Sequence, residues 1–145
     1  MVATNLRFTV HDDDASAEAA VVDAGLGAAN EEAAPLRDVR LLAVFAREPA
    51  GAVVGGAVGR TWGLCCELRQ LWVAESYRGQ GVGSELLRAF ERRAVERGCR
   101  QAYLDTFSFQ ARPFYEALGY KVVLEISGFD VGISKYTMIH NLIPE

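Results

Sequence analysis

Between Arg78 and Ser84 the sequence reads Arg-Gly-Gln-Gly-Val-Gly-Ser. Glycines at that spacing suit one task, the capture of phosphate. An apolar, strand-like piece ending in Leu71-Trp72-Val73 comes before them, and an amphipathic helix comes after. A residue without Cβ can take a positive φ in so tight a turn, and it lets another molecule approach the backbone closely. The first amides of a helix have no partner inside it, and the helix dipole makes that end partly positive. Strand, glycine loop and helix N-terminus together form an anion site.

Two phosphate motifs can be set aside. The nucleotide P-loop ends in Gly-Lys-Ser/Thr, where lysine meets the terminal phosphates and the hydroxyl holds magnesium. Ser84 follows Gly83, but no lysine precedes it. The dinucleotide fingerprint Gly-x-Gly-x-x-Gly belongs to a first βαβ unit, and here the third glycine comes one residue early. What remains is Arg-x-x-Gly-x-Gly, Arg78 to Gly83. It resembles the acetyl-CoA-binding loop of the GNAT superfamily of N-acetyltransferases, whose signature is Gln/Arg-x-x-Gly-x-Gly/Ala. The Leu-Trp-Val strand end, the Gly-Ser-x-Leu-Leu helix start and Phe-Tyr-x-x-x-Gly-Tyr (Phe114 to Tyr120) stand in that family's order and spacing. The resemblance covers the second half of the chain well and the first half in length and pattern only.

The resemblance implies a division of labour. Backbone amides of Arg78, Gly79, Gln80, Gly81, Val82, Gly83 and Ser84 would hold the pyrophosphate. The strand end Leu71, Trp72 and Val73 would pair with the pantetheine arm as an added strand does. Many family members hold the pantetheine with an asparagine after the next strand; this chain offers Gln110 or Ser108. Tyr115 matches a tyrosine whose hydroxyl lies near the cofactor sulfur. A phenol there can give a proton to the departing thiolate. Glu67 stands eleven residues before Arg78, an offset at which several members carry a glutamate as general base. An acceptor amine arrives as an ammonium and must lose a proton, which a carboxylate can take directly or through water. A structural reading stands beside each: a core tyrosine, and a glutamate paired with Arg69 or Arg60. A strand bulge would decide whether Glu67 or Gln70 faces the cleft.

These residues need elements to position them. Val82, Leu86, Leu87, Phe90 and Ala94 recur at helical spacing, with Glu85, Arg88, Glu91, Arg92, Arg93 and Glu96 assigned to the polar face and Gly98 to the cap. Arg40–Arg47, Ala52–Thr61 and Leu64–Val73 read as an antiparallel meander. Gly55 and Gly56 mark a bulge or close packing within it. Gln101–Thr106 reads as a strand, and the resemblance implies that it runs parallel to Leu64–Val73 with the Gly81–Arg97 helix as the crossover. Lys121–Ile126 and Ser134–Leu142 are the last two strands, joined by a loop from Ser127 to Gly132. Toward the N-terminus, Leu6, Phe8 and Val10 alternate as in a strand through His11. Asp12 to Asp14 read as a turn capping a helix over Ala15 to about Asn30, and Glu31 to Asp38 as a loop or short helix. The expectation is a single α/β domain over residues 1–145, with a mixed, twisted sheet of about seven strands and flanking helices.

Composition narrows the function. Half of the 145 residues are hydrophobic and the net charge is −4, a poor match to a nucleic-acid partner. Arg88, Arg92, Arg93, Arg97 and Arg100 cluster, but glutamates interleave them as on a solvated helix face. No apolar run spans a bilayer, and the first residues do not read as a signal peptide, so a cytoplasmic protein is expected. Cys65, Cys66 and Cys99 do not stand at metal-ligand spacings and read as reduced, mostly buried thiols. His140 and His11 read as core-edge or solvated. The reaction expected is transfer of an acetyl group from acetyl-CoA to a primary amine of a small molecule, by direct attack in a ternary complex without a metal. Two alternatives are an acyl-CoA-binding sensor without turnover, and an acetyltransferase acting on a protein or aminoacyl-tRNA. The regions that would shape the acceptor site, Ala15–Asp38 and Ser127–Gly132, carry no readable specificity. Dimers are common in the resembling family.

Overall fold

A computed structural model describes residues 5–30 and 38–143. They fall into two compact units, one up to residue 37 and one from Asp38 onward. In the first, helix α1 spans Ser16–Asn30. Asp13 Oδ1 accepts the Ala15 N–H at 3.0 Å just ahead of it, the turn expected of the aspartate run. The strand expected over Leu6–His11 is not one: this stretch has no regular secondary structure. Alternation marks a segment that would suit a pleated surface, but a strand exists only where its backbone groups find a ladder partner. All of Glu31–Asp38 except Asp38 lies outside the described residues.

The second unit is a six-stranded mixed sheet, not one of about seven, in the order β1-β2-β3-β4-β6-β5. The strands are β1 Arg40–Arg47, β2 Val53–Trp62, β3 Cys65–Val73, β4 Gln101–Phe107, β5 Lys121–Asp130 and β6 Ile133–Asn141. β1, β2 and β3 form the expected antiparallel meander. Helix α2, Val82–Glu96, crosses from β3 to the parallel strand β4, and Gly98 closes it at φ +95°. Leu86, Leu87, Phe90 and Ala94 are buried from α2. They meet Ala57, Cys66, Leu68, Leu104 and Met138 of the sheet in one core. Each large apolar side chain so placed contributes roughly 1.5–3 kcal/mol.

Three departures matter. First, β3 carries a bulge: Val58 faces Gln70 and Gly59 faces Leu68, so Arg69 has no opposite number on β2. Gly59 permits it, because a Cβ there would collide with the Glu67 carbonyl and press on the Phe90 ring. Gly55 and Gly56 instead serve close packing, against Leu86 and Phe45. Second, the parallel pairing of β3 with β4 runs only from Cys65↔Gln101 to Leu68↔Leu104. Beyond that the two strands splay, and the backbone of β3 on that side has no ladder partner in β4. Third, the loop expected over Ser127–Gly132 is mostly ladder. β5 runs on to Asp130 through an irregularity that holds Gly128 at φ +93°, and a two-residue turn joins it to β6.

All three cysteines are free thiols, and Cys66 and Cys99 are buried. Burial pushes the Cys66 thiol up to about 12 and raises that of Cys99. A thiol must ionise to react. In the native protein at pH 8, a thiol reagent should therefore modify Cys65 alone, and Cys66 and Cys99 only after denaturation. Mass-spectrometric mapping of the labels checks this; rapid native labelling of Cys66 would contradict the packing described.

Candidate active site

At the splayed end of β3 lies a cavity of about 440 Å³. Its walls include Leu71 to Val73, Arg78, Gly79, Gly81 to Ser84 and Tyr115, with Tyr77, Ala111 and Phe114 completing it. Ten of the sequence-predicted site residues thus share one space. Gly79 and Gly81 sit at φ +74° and +84°, and Gly81 is the N-cap of α2. A Cβ at either would meet nothing within 4 Å, so the loop is open on its outer side, as close approach of a phosphate requires. A Cβ on Gly83 would touch Phe114 at 3.4 Å, which sets how near the first turn of α2 comes to the aromatic wall. Arg78 is turned back, its Nε donating to the Val73 carbonyl at 2.9 Å. Gln80 stands apart: its amide donates to the Ser76 carbonyl, and the residue borders a neighbouring groove with Phe45.

Tyr115 comes from helix α3, Arg112–Ala117, with Pro113 in its first turn. Gly119 ends the helix at φ +101°, and the Tyr120 N–H folds back to the Tyr115 carbonyl at 3.0 Å. Tyr115 is 8% exposed. Burial alone raises its phenol above the ordinary tyrosine value, with no protein hydrogen bond contributing. The hydroxyl is therefore a neutral acid, and it has no hydrogen-bond partner among the described residues.

On the other side of Tyr115 is a second cavity of about 480 Å³, between Arg69–Trp72 of β3 and Asp105–Phe107 of β4. Gln110 borders this cavity rather than the first. Its Oε1 accepts the Phe107 N–H at 2.8 Å and closes the turn after β4. Phe107 packs against Phe109 and Phe129 at 5.4 and 5.2 Å between ring centres. Glu67 lies outside the walls of both cavities. Its Oε1 accepts from Arg60 Nε at 2.7 Å, and that guanidinium lies over the Trp62 ring.

The model of the acetyltransferase (GNAT) family matches residues 11–120. The chain belongs to this family. As a GNAT acetyltransferase it is an acyl-transfer enzyme, and its fold has relatives of known structure. Blasticidin-S acetyltransferase of Streptomyces morookaense is 34% identical over 107 residues, 73% of this chain and 79% of the relative. The crystal structure of a candidate acetyltransferase from Agrobacterium tumefaciens superposes with a TM-score of 0.83 at 32% identity, covering 94% of this chain and 99% of that one. An aminoglycoside 6'-N-acetyltransferase complexed with coenzyme A matches with a TM-score of 0.64 at 25% identity, over 72% and 74% of the two chains.

One pair in this GNAT enzyme escaped the sequence reading. Tyr120 OH donates to Glu91 Oε2 at 2.8 Å, with both residues buried. The sequence placed Glu91 on the polar face of α2. It stands four residues after Leu87 and so lies on the buried stripe; that spacing was the available signal. The bond ties α2, which carries the glycine loop, to the end of α3, which carries Tyr115. From the far side His140 Nδ1 lies 3.0 Å from the Gly119 carbonyl. Tyr120→Phe should leave the Glu91 carboxylate buried without this partner and destabilise the fold by about 1–3 kcal/mol. Adding Glu91→Leu removes the stranded charge and should recover much of that loss. Chemical denaturation of the two variants measures both steps.

Proposed function

We propose that this enzyme moves an acetyl group from acetyl-CoA to a primary amine of a small molecule, in the cytoplasm and by direct attack in a ternary complex. The observation that carries the reading is that Tyr115 borders two cavities at once. One has the glycine loop and helix N-terminus of an anion site, and the other opens through the splay of β3 and β4. The names of the blasticidin-S and aminoglycoside relatives support a small amine acceptor. The free thiols fit a reducing compartment.

Acetyl-CoA supplies an activated carbonyl and a thiolate leaving group. The amides of Gly81 to Ser84 at the α2 N-terminus fit its pyrophosphate, and the Leu71 to Val73 edge, beyond the last residue paired to β4, fits the amides of its pantetheine arm. The Tyr115 phenol, protonated at neutral pH, gives its proton to the leaving sulfur. Glu67 serves as base through water, because Arg60 holds its carboxylate and it borders neither cavity. Glu67→Gln should therefore lower kcat/KM about tenfold, less than the 10²–10⁴ typical of a direct base, without changing acetyl-CoA affinity. Steady-state rates decide: a loss beyond a thousandfold would make the contact direct, and no loss would remove Glu67 from the chemistry.

The test of the whole reading is calorimetric titration with acetyl-CoA and CoA, followed by thiol-release assays with an amine panel. Micromolar binding with acetyl transfer supports it. Binding without transfer to any amine would favour the sensor alternative. Folded protein that binds neither cofactor would refute both.

A further inference from the structure

We propose that the acceptor carries an anionic group, a carboxylate or a phosphate, and that Arg69 holds it in the second cavity. The inference rests on the acetyl-transfer reading above and adds the class of amine.

It starts from the bulge. Upstream of it, Cys66 and Leu68 turn into the core; downstream, Leu71 and Val73 do so, while Arg69 and Gln70 are both exposed. A regular strand would have sent two successive side chains to opposite faces. The bulge instead leaves both exposed, and both border the second cavity. It falls immediately after Leu68, the last residue of β3 paired to β4. One irregularity therefore coincides with the start of the splay and puts a guanidinium at the wall of the opening.

The charges around this cavity do not balance. Its charged wall residues are Arg69 and Asp105. Asp105 is already served: Oδ1 accepts the Thr137 hydroxyl at 2.6 Å, and Lys135 Nζ stands 3.5 Å from Oδ2. Arg69 belongs to none of the ion pairs among the described residues, which join Arg60, Arg93, Arg112 and Lys135 to their carboxylates. The uncompensated charge facing the cavity is therefore positive. A guanidinium presents a planar fork of donors that fits a carboxylate or phosphate through two parallel bonds. A polycationic acceptor would meet Arg69 with repulsion and find Asp105 occupied.

The test uses saturating acetyl-CoA and amines in matched pairs: glucosamine 6-phosphate against glucosamine, and lysine against lysinamide, with spermidine as the cationic comparison. Wild type should favour the anionic member of at least one pair by tenfold or more in kcat/KM, and the responding pair tells phosphate from carboxylate. Arg69→Ala should raise KM for that member about 10- to 100-fold, the range of lost charge-assisted bonds. It should leave the member without the anionic group within twofold and acetyl-CoA affinity unchanged, and Arg69→Lys should restore part of the preference. Preference for spermidine or for the members without an anionic group overturns the proposal, as does an anion preference that survives Arg69→Ala. So does an enzyme that binds acetyl-CoA but acetylates none of the panel. Wild type that fails to bind acetyl-CoA overturns the acetyl-transfer reading itself, which the binding measurement detects separately.

Discussion

Gly81→Glu is expected to weaken CoA binding by more than about a hundredfold while the protein stays folded. The reason is charge rather than bulk. A side chain at Gly81 has open space, since its Cβ would meet nothing within 4 Å. The backbone at φ +84° costs a residue with a Cβ about 1–2 kcal/mol, which a domain with this core can absorb. The new carboxylate, however, stands at the positive end of α2, where an anion is favoured. It would satisfy the amides meant for the ligand and repel the pyrophosphate at a few ångströms. Two like charges 4 Å apart near a protein surface repel by about 4 kcal/mol, ample for the loss expected. Gly81→Asn separates the causes, because asparagine tolerates the left-handed conformation and carries no charge. Calorimetry should show only a several-fold loss for Asn. Equal losses in the two variants would assign the effect to the backbone, and undiminished binding by Gly81→Glu would move the anion site elsewhere.

The parts of this fold that could be read early are those where local pattern and tertiary role coincide. In α2 the stripe from Leu86 to Ala94 states both the helix and its buried face, and Gly98 marks its end. The meander follows from short strands in sequence, whereas the parallel crossover comes with the family resemblance. Reading failed where the deciding term is a partner far away in sequence. Leu6–His11 alternates like a strand, yet ladder pairing is a property of two segments. The bulge at Arg69 depends on a glycine ten residues earlier, Gly59, whose missing Cβ lets β3 crowd β2. The run of β5 beyond Ile126 depends on β6 to pair with it and on Gly128 to absorb the irregularity. In the site, the glycine loop is legible because its chemistry belongs to the backbone and leaves its mark as glycine spacing. Tyr77 and Ala111 carry no such mark: Tyr77 joins the wall as the chain neighbour of Arg78, and Ala111 because the start of α3 is brought to face the loop. Glu67 shows the converse. Its residue type and offset invite a catalytic role, but the register that sets it opposite Arg60 gives the carboxylate an ion-pair partner first.

Tyr115→Phe should lower kcat by about a hundredfold or more, the usual worth of a positioned acid, while the KM for acetyl-CoA stays within about threefold. The phenyl ring would keep its edge contacts with Phe114 and Tyr120 at 5.1 and 5.9 Å, so the cavity wall is preserved. Stability should barely change, because no group among the described residues loses a partner with the Tyr115 hydroxyl. That contrast carries the test. Tyr120→Phe, five residues on, removes the same atom but strands a buried carboxylate and so should act on stability first. An acid at position 115 also predicts the pH profile. Burial disfavours the phenolate and raises the pKa, so the proton-bearing form persists above the ordinary tyrosine range. Rising pH should therefore not switch this group off below about pH 10, and any earlier basic limb in kcat belongs to another group. Rates for wild type and Tyr115→Phe from pH 6 to 10 decide the matter. A constant ratio of a hundred or more across that range is the signature of a lost proton donor. A kcat within threefold of wild type would mean that the thiolate leaves without help from this phenol, and Tyr115 would be left as a wall of the two cavities.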